Sequence, residues 1–254
     1  MEEQKKISVV INTYNAEEFL AEVLESVKEF DETVVCDMES TDRTVEIAQA
    51  YGCRVVTFPK DGIQIVEPAR DFAIHQATHP WVLVVDADEI VTPALRTHLY
   101  KLLREGTSMA GYSISRHNKL IGRFTKQSGH DYVLRFFKKD LTTWPPTIHS
   151  LPVIQGEVAR LPQSCELMHL EDQNLYQWVK KMNDYTDYEM EKKVDRDFGV
   201  LALLFRPLWR FFRCYVLRGA FRDGRRGLIQ SLQWAIYQQI LVAKMMERKM
   251  RERL

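Results

Sequence analysis

The chain has little of what most small secreted or metal-stapled proteins rely on. Only four of its 254 residues are cysteine, at positions 36, 53, 165 and 214, and no two of them form a Cys-x-x-Cys pair. Scattered thiols without histidines at zinc-ligand spacing exclude a zinc ribbon or a disulfide framework, and they fit a reducing compartment. Long apolar runs are missing too. The most apolar late stretch, Phe198 to Phe205, is eight residues long before Arg206, Pro207, Arg210 and Arg213 interrupt it, whereas crossing a bilayer takes about 20. No transmembrane helix is expected. The start, Met1-Glu2-Glu3-Gln4-Lys5-Lys6, runs straight into an apolar segment; without a basic start, an apolar stretch and a small-residue cleavage site, export is not expected. Neither an internal repeat nor a low-complexity linker is visible. Glycine is scarce where a dinucleotide-binding enzyme needs it: after the first apolar run the chain reads Asn12-Thr13-Tyr14-Asn15-Ala16-Glu17 instead of Gly-x-Gly-x-x-Gly, which argues against a nicotinamide or flavin enzyme.

Net charge is zero, but its distribution is not even. Residues 199 to 254 hold twelve Lys or Arg against three Asp or Glu, leaving twenty-three against thirty-two in residues 1 to 198. A basic end of that strength calls for an anionic partner such as phospholipid headgroups or nucleic acid, while the acidic remainder is poorly suited to polyanions. The length allows one large domain with an appendage.

The first hundred residues alternate strand and helix patterns. Ile7 to Asn12 reads as a strand, and Ala16 to Phe30 as a helix through Phe19, Leu20, Val23, Leu24 and Val27. Thr33 to Cys36 is again a strand. Ser40-Thr41-Asp42 starts a second helix that Gly52 closes, Arg54 to Phe58 forms a third strand, and a helix around Ala69 to Ala77 leads to a fourth strand at Trp81 to Val85. This succession predicts an α/β fold with a mostly parallel sheet flanked by helices. From Ser108 to Pro162 the apolar runs shorten to Tyr112–Ile114 and Val133–Phe137, the pattern of antiparallel strands and loops. Met182–Lys193, Pro207–Leu217 and Leu228–Met250 read as helices, the last two divided by a turn from Gly219 to Gly227.

The fourth strand carries most of the chemistry. Its apolar run breaks into Asp86, Asp88 and Glu89 within four positions. Carboxylates are hard ligands suited to Mg²⁺ or Mn²⁺, and an ion held by one or two of them keeps positions free for water and phosphate oxygens. The competing reading is that Asp86 and Asp88 cap the helix after Pro93. Ligands of such sheets bind at the carboxyl ends of the strands, which supply Thr13, Tyr14 and Asn15, then Asp37, then Asp86 and Asp88.

Four segments in this order, Ser8-Val9-Val10-Ile11-Asn12-Thr13-Tyr14-Asn15, Asp37-Met38-Glu39-Ser40-Thr41-Asp42-Arg43-Thr44, Ala69-Arg70-Asp71-Phe72-Ala73 and Asp86-Ala87-Asp88-Glu89, make the chain resemble the family 2 glycosyltransferases, which adopt the GT-A fold. Tyr132 to Phe137, Pro146 to His149 and Trp209 to Arg218 are similar to bacterial enzymes that add glucose or a related sugar to the lipopolysaccharide core, so the similarity covers most of the chain.

The resemblance implies roles. Thr13, Tyr14 and Asn15 would line the nucleoside pocket, and Asp37 would accept a hydrogen bond from uracil; the alternative for Asp37 is the capping of a turn. Arg70 would approach the diphosphate, or else pair with Asp71 or Glu67 on a helix surface. Asp86 would contact ribose or metal-bound water, Asp88 would be the ligand of Mn²⁺ or Mg²⁺, and Ala87 and Arg135 complete the substrate-binding set.

A carboxylate should take the acceptor's proton. Asp131, just ahead of the Tyr132–Phe137 strand, is the first choice, followed by Glu171 and Asp172, which could instead cap a helix. His149 is the candidate second metal ligand and His169 stands behind it; Ser150 departs from the acidic residue that tends to follow this histidine in the group. Residues 1–107 would form the nucleotide-sugar half, 108–197 the acceptor half and 198–254 a basic helical arm.

That arm has seven arginines and one acid between Arg206 and Arg226, interleaved with Trp209, Phe211, Phe212, Tyr215, Leu217 and Phe221. Such a mixture suits an interfacial helix on anionic lipid; a packing helix with a solvated face or a homo-oligomer contact would use the same residues. No nucleic-acid fold accompanies it, so no nucleic-acid partner is expected. The expectation is an inverting transferase at the cytoplasmic face of the cell membrane, moving a sugar from a UDP donor to a lipopolysaccharide core or similar glycolipid. The alternatives are transfer to another surface glycan and a nucleotide-sugar-binding module without turnover.

Overall fold

The structure is a computed structural model and describes residues 5–60, 66–147, 150–172, 174–192 and 198–252. It divides into two compact units, one made of Met1–Asn118 with Asp131–Glu171, the other of Lys119–His130 with Asp172–Leu254.

In the first unit β1 (Ile7–Thr13), α1 (Leu20–Val27), β2 (Glu32–Asp37), α2 (Thr44–Ala50), β3 (Arg54–Thr57), α3 (Glu67–Gln76) and β4 (Trp81–Asp86) follow in turn. β1 lies between β2 and β4, parallel to both, with Thr13 opposite Asp37 and Asn12 opposite Asp86. The register therefore brings three strand ends into line. Residues Ile7 to Ile11 and Trp81 to Val85 are buried, as expected of parallel strands covered on both faces. One layer of the core packs α1 against Val9, Ile11, Leu83 and Val85. The other packs Ala69, Ala73 and Ile74 of α3 against Val10, Val82 and Val84.

β5 (Glu89–Val91), α4 (Pro93–Glu105) and β6 (Gly111–Leu120) come next. The end of β6 continues into the second unit, where Lys119 and Leu120 pair with β7 (Arg123–Phe124). β8 (His130–Lys138) returns antiparallel to β4, and the hairpin β9 (Thr142–Thr143) with β10 (Val153–Ile154) follows. β11 (Val158–Arg160) and β12 (Glu166–His169) both run parallel to β6, and β12 also pairs antiparallel with β5. The main sheet has the order β3-β2-β1-β4-β8-β6-β12-β5.

Several boundaries differ from those expected. The first helix starts at Leu20 rather than Ala16; ahead of it the N–H groups of Asn15, Ala16 and Glu17 donate to Ser40, Thr44 and Asp42 of the next loop. The helix after Pro93 is capped by Thr92, whose hydroxyl accepts from the Leu95 N–H, so Asp86 and Asp88 do not serve as its caps. β6 and β8 run well beyond the short apolar runs, since backbone pairing carries polar residues into the sheet as readily as apolar ones. As a result Asp131 lies inside β8, not ahead of it.

The second unit adds three helices, α5 (Leu175–Lys192), α6 (Val200–Phe212) and α7 (Gly224–Arg251). α5 begins seven residues before the expected Met182. Asn174 and Gln177 cap each other there, each side chain accepting from the other's backbone N–H, so neither Glu171 nor Asp172 caps it. α6 starts at Val200, and Pro207, expected at its first turn, sits buried in its interior; one turn of π-helix, Arg213–Leu217, extends it. Asp223 accepts from the N–H groups of Lys126, Gln127 and Ser128. Among the described residues no helix is long and apolar enough to cross a membrane.

Candidate active site

The site grows out of the end of β4. The Asp86 carboxylate is gripped from two sides: Arg70 of α3 donates to Oδ1 at 2.6 Å, and Arg135 of β8 donates to Oδ2. Behind it Glu89, with no exposed surface, accepts the Asp86 N–H through Oε2 at 3.0 Å. The other Glu89 oxygen faces Arg116 at 3.6 Å and Arg135 at 3.7 Å. Arg116 in turn holds both oxygens of Asp131, Nε to Oδ1 at 3.1 Å and Nη2 to Oδ2 at 2.7 Å, and the Asn118 amide adds a third bond. Three guanidiniums thus face three carboxylates.

The electrostatics follow from burial and neighbours. For Asp86 burial opposes the charge, but the guanidiniums of Arg135 and Arg70 outweigh it and hold the carboxyl well below the usual range. Glu89 moves the other way, pushed up by burial and then by the charge of Asp86. Arg116, despite burial, binds its proton more tightly because Asp131 and Glu89 face it. The two arginines thus favour the ionised form of Asp86 and fix its orientation. Arg70 pairs with Asp86 rather than Asp71, whose carboxylate accepts the Trp144 N–H at 2.7 Å. The Arg70 guanidinium also lies over the Trp144 ring, 4.9 Å from its centroid.

Beyond Asp86 the chain turns through Ala87, which packs against the core, to Asp88. The antiparallel pairing of β12 with β5 sets His169 opposite Glu89, and the Leu170 N–H donates to the Asp88 carbonyl at 2.8 Å. This register places His169 Nε2 3.1 Å from Asp88 Oδ2. Glu171 follows on the same strand end, and ligand atoms of Asp88, His169 and Glu171 all lie within 4.8 Å of one another. Burial works against a charged His169 ring, but the hydrogen bond and charge of Asp88 raise its proton affinity above the ordinary value. Two carboxylates and an imidazole fit a divalent ion with open positions left over. Of the two histidines considered from sequence, the structure brings His169 to Asp88; His149 lies outside the described residues. Asp172 belongs to the second unit, where it accepts the Gly122 N–H.

On the neighbouring strands Asp37 is 3% exposed. Its carboxylate accepts from the Thr13 hydroxyl and the Ser40 N–H, both at 2.9 Å, and from the Ser40 hydroxyl. The turn-capping geometry is thus present at Asp37. Asn15 holds a left-handed backbone at φ 48° and accepts the Thr41 N–H, which ties the first loop to the second. Tyr14 is exposed, with the Lys60 ammonium 3.4 Å from its ring centroid. Arg116, Trp144 and Lys60 were not singled out from sequence; Glu89 was noted as the third carboxylate at the end of the fourth strand, but without its buried place between Arg116 and Arg135.

Fold and site together define an α/β protein of the GT-A type, with carboxylates gathered at the carboxyl ends of parallel strands. The family model described as Glycosyl transferase family 2 matches residues 8–154, and the chain belongs to that family. It is 26% identical over 250 residues to the lipopolysaccharide core biosynthesis glycosyltransferase LpsC of Rhizobium meliloti, covering 95% of this chain and 92% of that one. Among solved structures, the mannosyltransferase PcManGT from Pyrobaculum calidifontis in complex with GDP-Man and Mn²⁺ matches with a TM-score of 0.55 at 16% identity, over 94% of this chain and 75% of that one. S. aureus TarS in complex with UDP matches with a TM-score of 0.52 at 16% identity, over 97% and 92%.

Proposed function

We propose that the chain is an inverting, metal-dependent glycosyltransferase that moves a sugar, glucose by our reading, from a UDP donor to a lipopolysaccharide core or similar glycolipid at an anionic membrane surface. The observation that carries this is the meeting of Asp88, His169 and Glu171 within 4.8 Å beside an arginine-clamped Asp86, in a family 2 chain. The acceptor class is supported by LpsC, a uridine nucleotide by the UDP complex of TarS, and a sugar nucleotide with a divalent ion by the GDP-Man and Mn²⁺ complex of PcManGT.

Asp88, His169 and Glu171 would hold Mn²⁺ or Mg²⁺, which when bound stabilises negative charge on a departing diphosphate. Asp37 accepts from the uracil ring, with Thr13, Tyr14 and Asn15 around the nucleoside. Asp86 accepts from ribose or a metal-bound water, and Arg135 keeps it in place. Arg70 donates to one oxygen of Asp86 and keeps further N–H groups for diphosphate oxygens. Asp131 takes the proton of the acceptor hydroxyl as that oxygen attacks the anomeric carbon from the face opposite the leaving group. Its carboxylate is 45% exposed while Arg116 fixes its plane, a combination of access and orientation that suits a base.

Thermal shift against UDP, UDP-glucose, UDP-galactose and GDP-mannose, with and without Mn²⁺, tests the donor and metal parts together, since a ligand that binds only the folded state raises its melting point. UDP compounds with Mn²⁺ should stabilise the protein, and Asp88→Ala and His169→Ala should each lose most of that effect. Equal stabilisation without metal, or by GDP-mannose alone, would overturn the reading. Sugar transfer to a core oligosaccharide on lipid, absent in Asp131→Asn with donor binding intact, tests the acceptor step and separates an enzyme from a binding module.

A further inference from the structure

α6 is built the wrong way round for a water-soluble helix. Leu201, Leu204, Phe205, Leu208, Trp209 and Phe212 recur at the spacing of one helical face, and all of them are exposed, from 43% for Phe212 to 68% for Leu201. The residues turned inward include Pro207, which is buried, and Arg210, whose guanidinium stacks on Trp234 of α7 at 4.9 Å from the ring centroid. A surface helix normally buries its apolar stripe and wets its polar one; here the stripe is wet and an arginine is tucked behind it.

We propose that α6 lies in the plane of an anionic phospholipid bilayer, its outer stripe among the upper acyl chains and the neighbouring arginines among the headgroup phosphates. The proposal deepens the membrane part of the function proposed above and rests on it for the choice of surface, while its geometry stands alone. Charge selects the occupant. From Phe198 to Arg222 the sequence has five arginines and no acidic residue, and Arg213, Arg218 and Arg222, which follow the stripe along the chain, are exposed. A second copy docked face to face would set these like charges against each other, whereas lipid phosphates complement them. Trp209 has an apolar body and one N–H donor, a combination that suits the headgroup boundary.

Sedimentation with vesicles tests this. The wild type should bind vesicles of phosphatidylglycerol mixed with phosphatidylcholine, far more weakly vesicles of phosphatidylcholine alone, and less as salt rises. The triple variant Phe205→Ser, Leu208→Ser, Trp209→Ser should lose on the order of 100-fold in partition constant, because three exposed apolar side chains no longer enter the bilayer. Arg213→Gln with Arg218→Gln should lose about fivefold per arginine on anionic vesicles only. Far-UV circular dichroism and the UDP-dependent thermal shift should be unchanged in both variants, so failure of the donor reading would register separately from failure of this one. If the triple variant melts lower, Leu201→Gln with Leu204→Gln repeats the test one turn earlier. Wild-type indifference to anionic vesicles, unaltered binding by the stripe variants, or a stable dimer that they split into monomers would each overturn the proposal.

Discussion

Replacing Arg135 by methionine should damage the first unit more than any other single change in the site, because it strands two buried carboxylates. The Arg135 side chain is 5% exposed and stands between Asp86 Oδ2 and Glu89 Oε1, and the Glu89 side chain has no exposed surface. After substitution Asp86 keeps only Arg70, and Glu89 keeps Arg116 at 3.6 Å. Removing one partner of a buried ion pair costs about 3–5 kcal/mol, since the remaining charge is left desolvated. At about 2–4 °C per kcal/mol for a protein of this size, the melting point should fall by roughly 6–20 °C. Adding Glu89→Gln should recover a large part of the loss, because two arginines would then face two carboxylates. Urea unfolding of the wild type, Arg135→Met and the double variant, followed by near-UV circular dichroism, measures all three differences. A loss under about 1 kcal/mol, or a double variant less stable than the single one, would refute the picture of a charge-balanced network.

Glu32 accepts bonds from Ser8, the Thr78 N–H at 2.7 Å, the Thr78 hydroxyl and Arg54, and although burial pushes the other way these bonds bring its carboxyl below the usual range. With the folded value below the unfolded one, its stabilisation is complete above the unfolded pKa of about 4.3 and is lost as pH falls through the folded value. The urea midpoint of the wild type should therefore drop more steeply below about pH 5 than that of Glu32→Gln. Thr92→Ala removes the cap of α4 and the hydroxyl bond to the Glu166 carbonyl, and should cost about 1 kcal/mol in the same assay. Gly227→Ala would drive a methyl group into the Ala220 carbonyl, where backbone cannot yield cheaply. It should destabilise the second unit by roughly 3 kcal/mol, read as earlier proteolysis within residues 172–252.

Much of the first ninety residues was readable because burial there maps directly onto sequence. β1 and β4 are covered on both faces, so β4 appears as an unbroken apolar run and β1 as one interrupted by Ser8, and the four α1 positions Leu20, Val23, Leu24 and Val27 expected from helical spacing are all buried. The Asp-x-Asp was legible for the same reason, since a carboxylate that ends a buried run marks a strand end. What could not be read were relationships set by pairing across long separations. His169 reaches Asp88 only because β12 returns antiparallel to β5 across a separation of 81 residues, and no local pattern encodes that register. Arg116 and Asp131 meet through polar stretches of β6 and β8, where the backbone ladder rather than side-chain alternation defines the strand.

Periodicity fails in a different way at α6. Proline favours the first turn of a helix, so the sequence suggested a start at Pro207, yet the helix begins at Val200 and runs through it. The more consequential failure concerns direction. An apolar residue every third or fourth position identifies a face but not what that face meets, and the stripe Leu201 to Phe212 would read identically if it were core. Only the packing partner decides. α7 lies behind α6, with Arg210 stacked between them on Trp234, and that leaves the stripe outward. A tryptophan, two phenylalanines and three leucines left outside on one helix face form the kind of apolar patch that marks a contact with another apolar phase. Under the bilayer proposal the run of arginines without an acid names the phase, since residues that would repel a second copy of the same face would attract lipid phosphates.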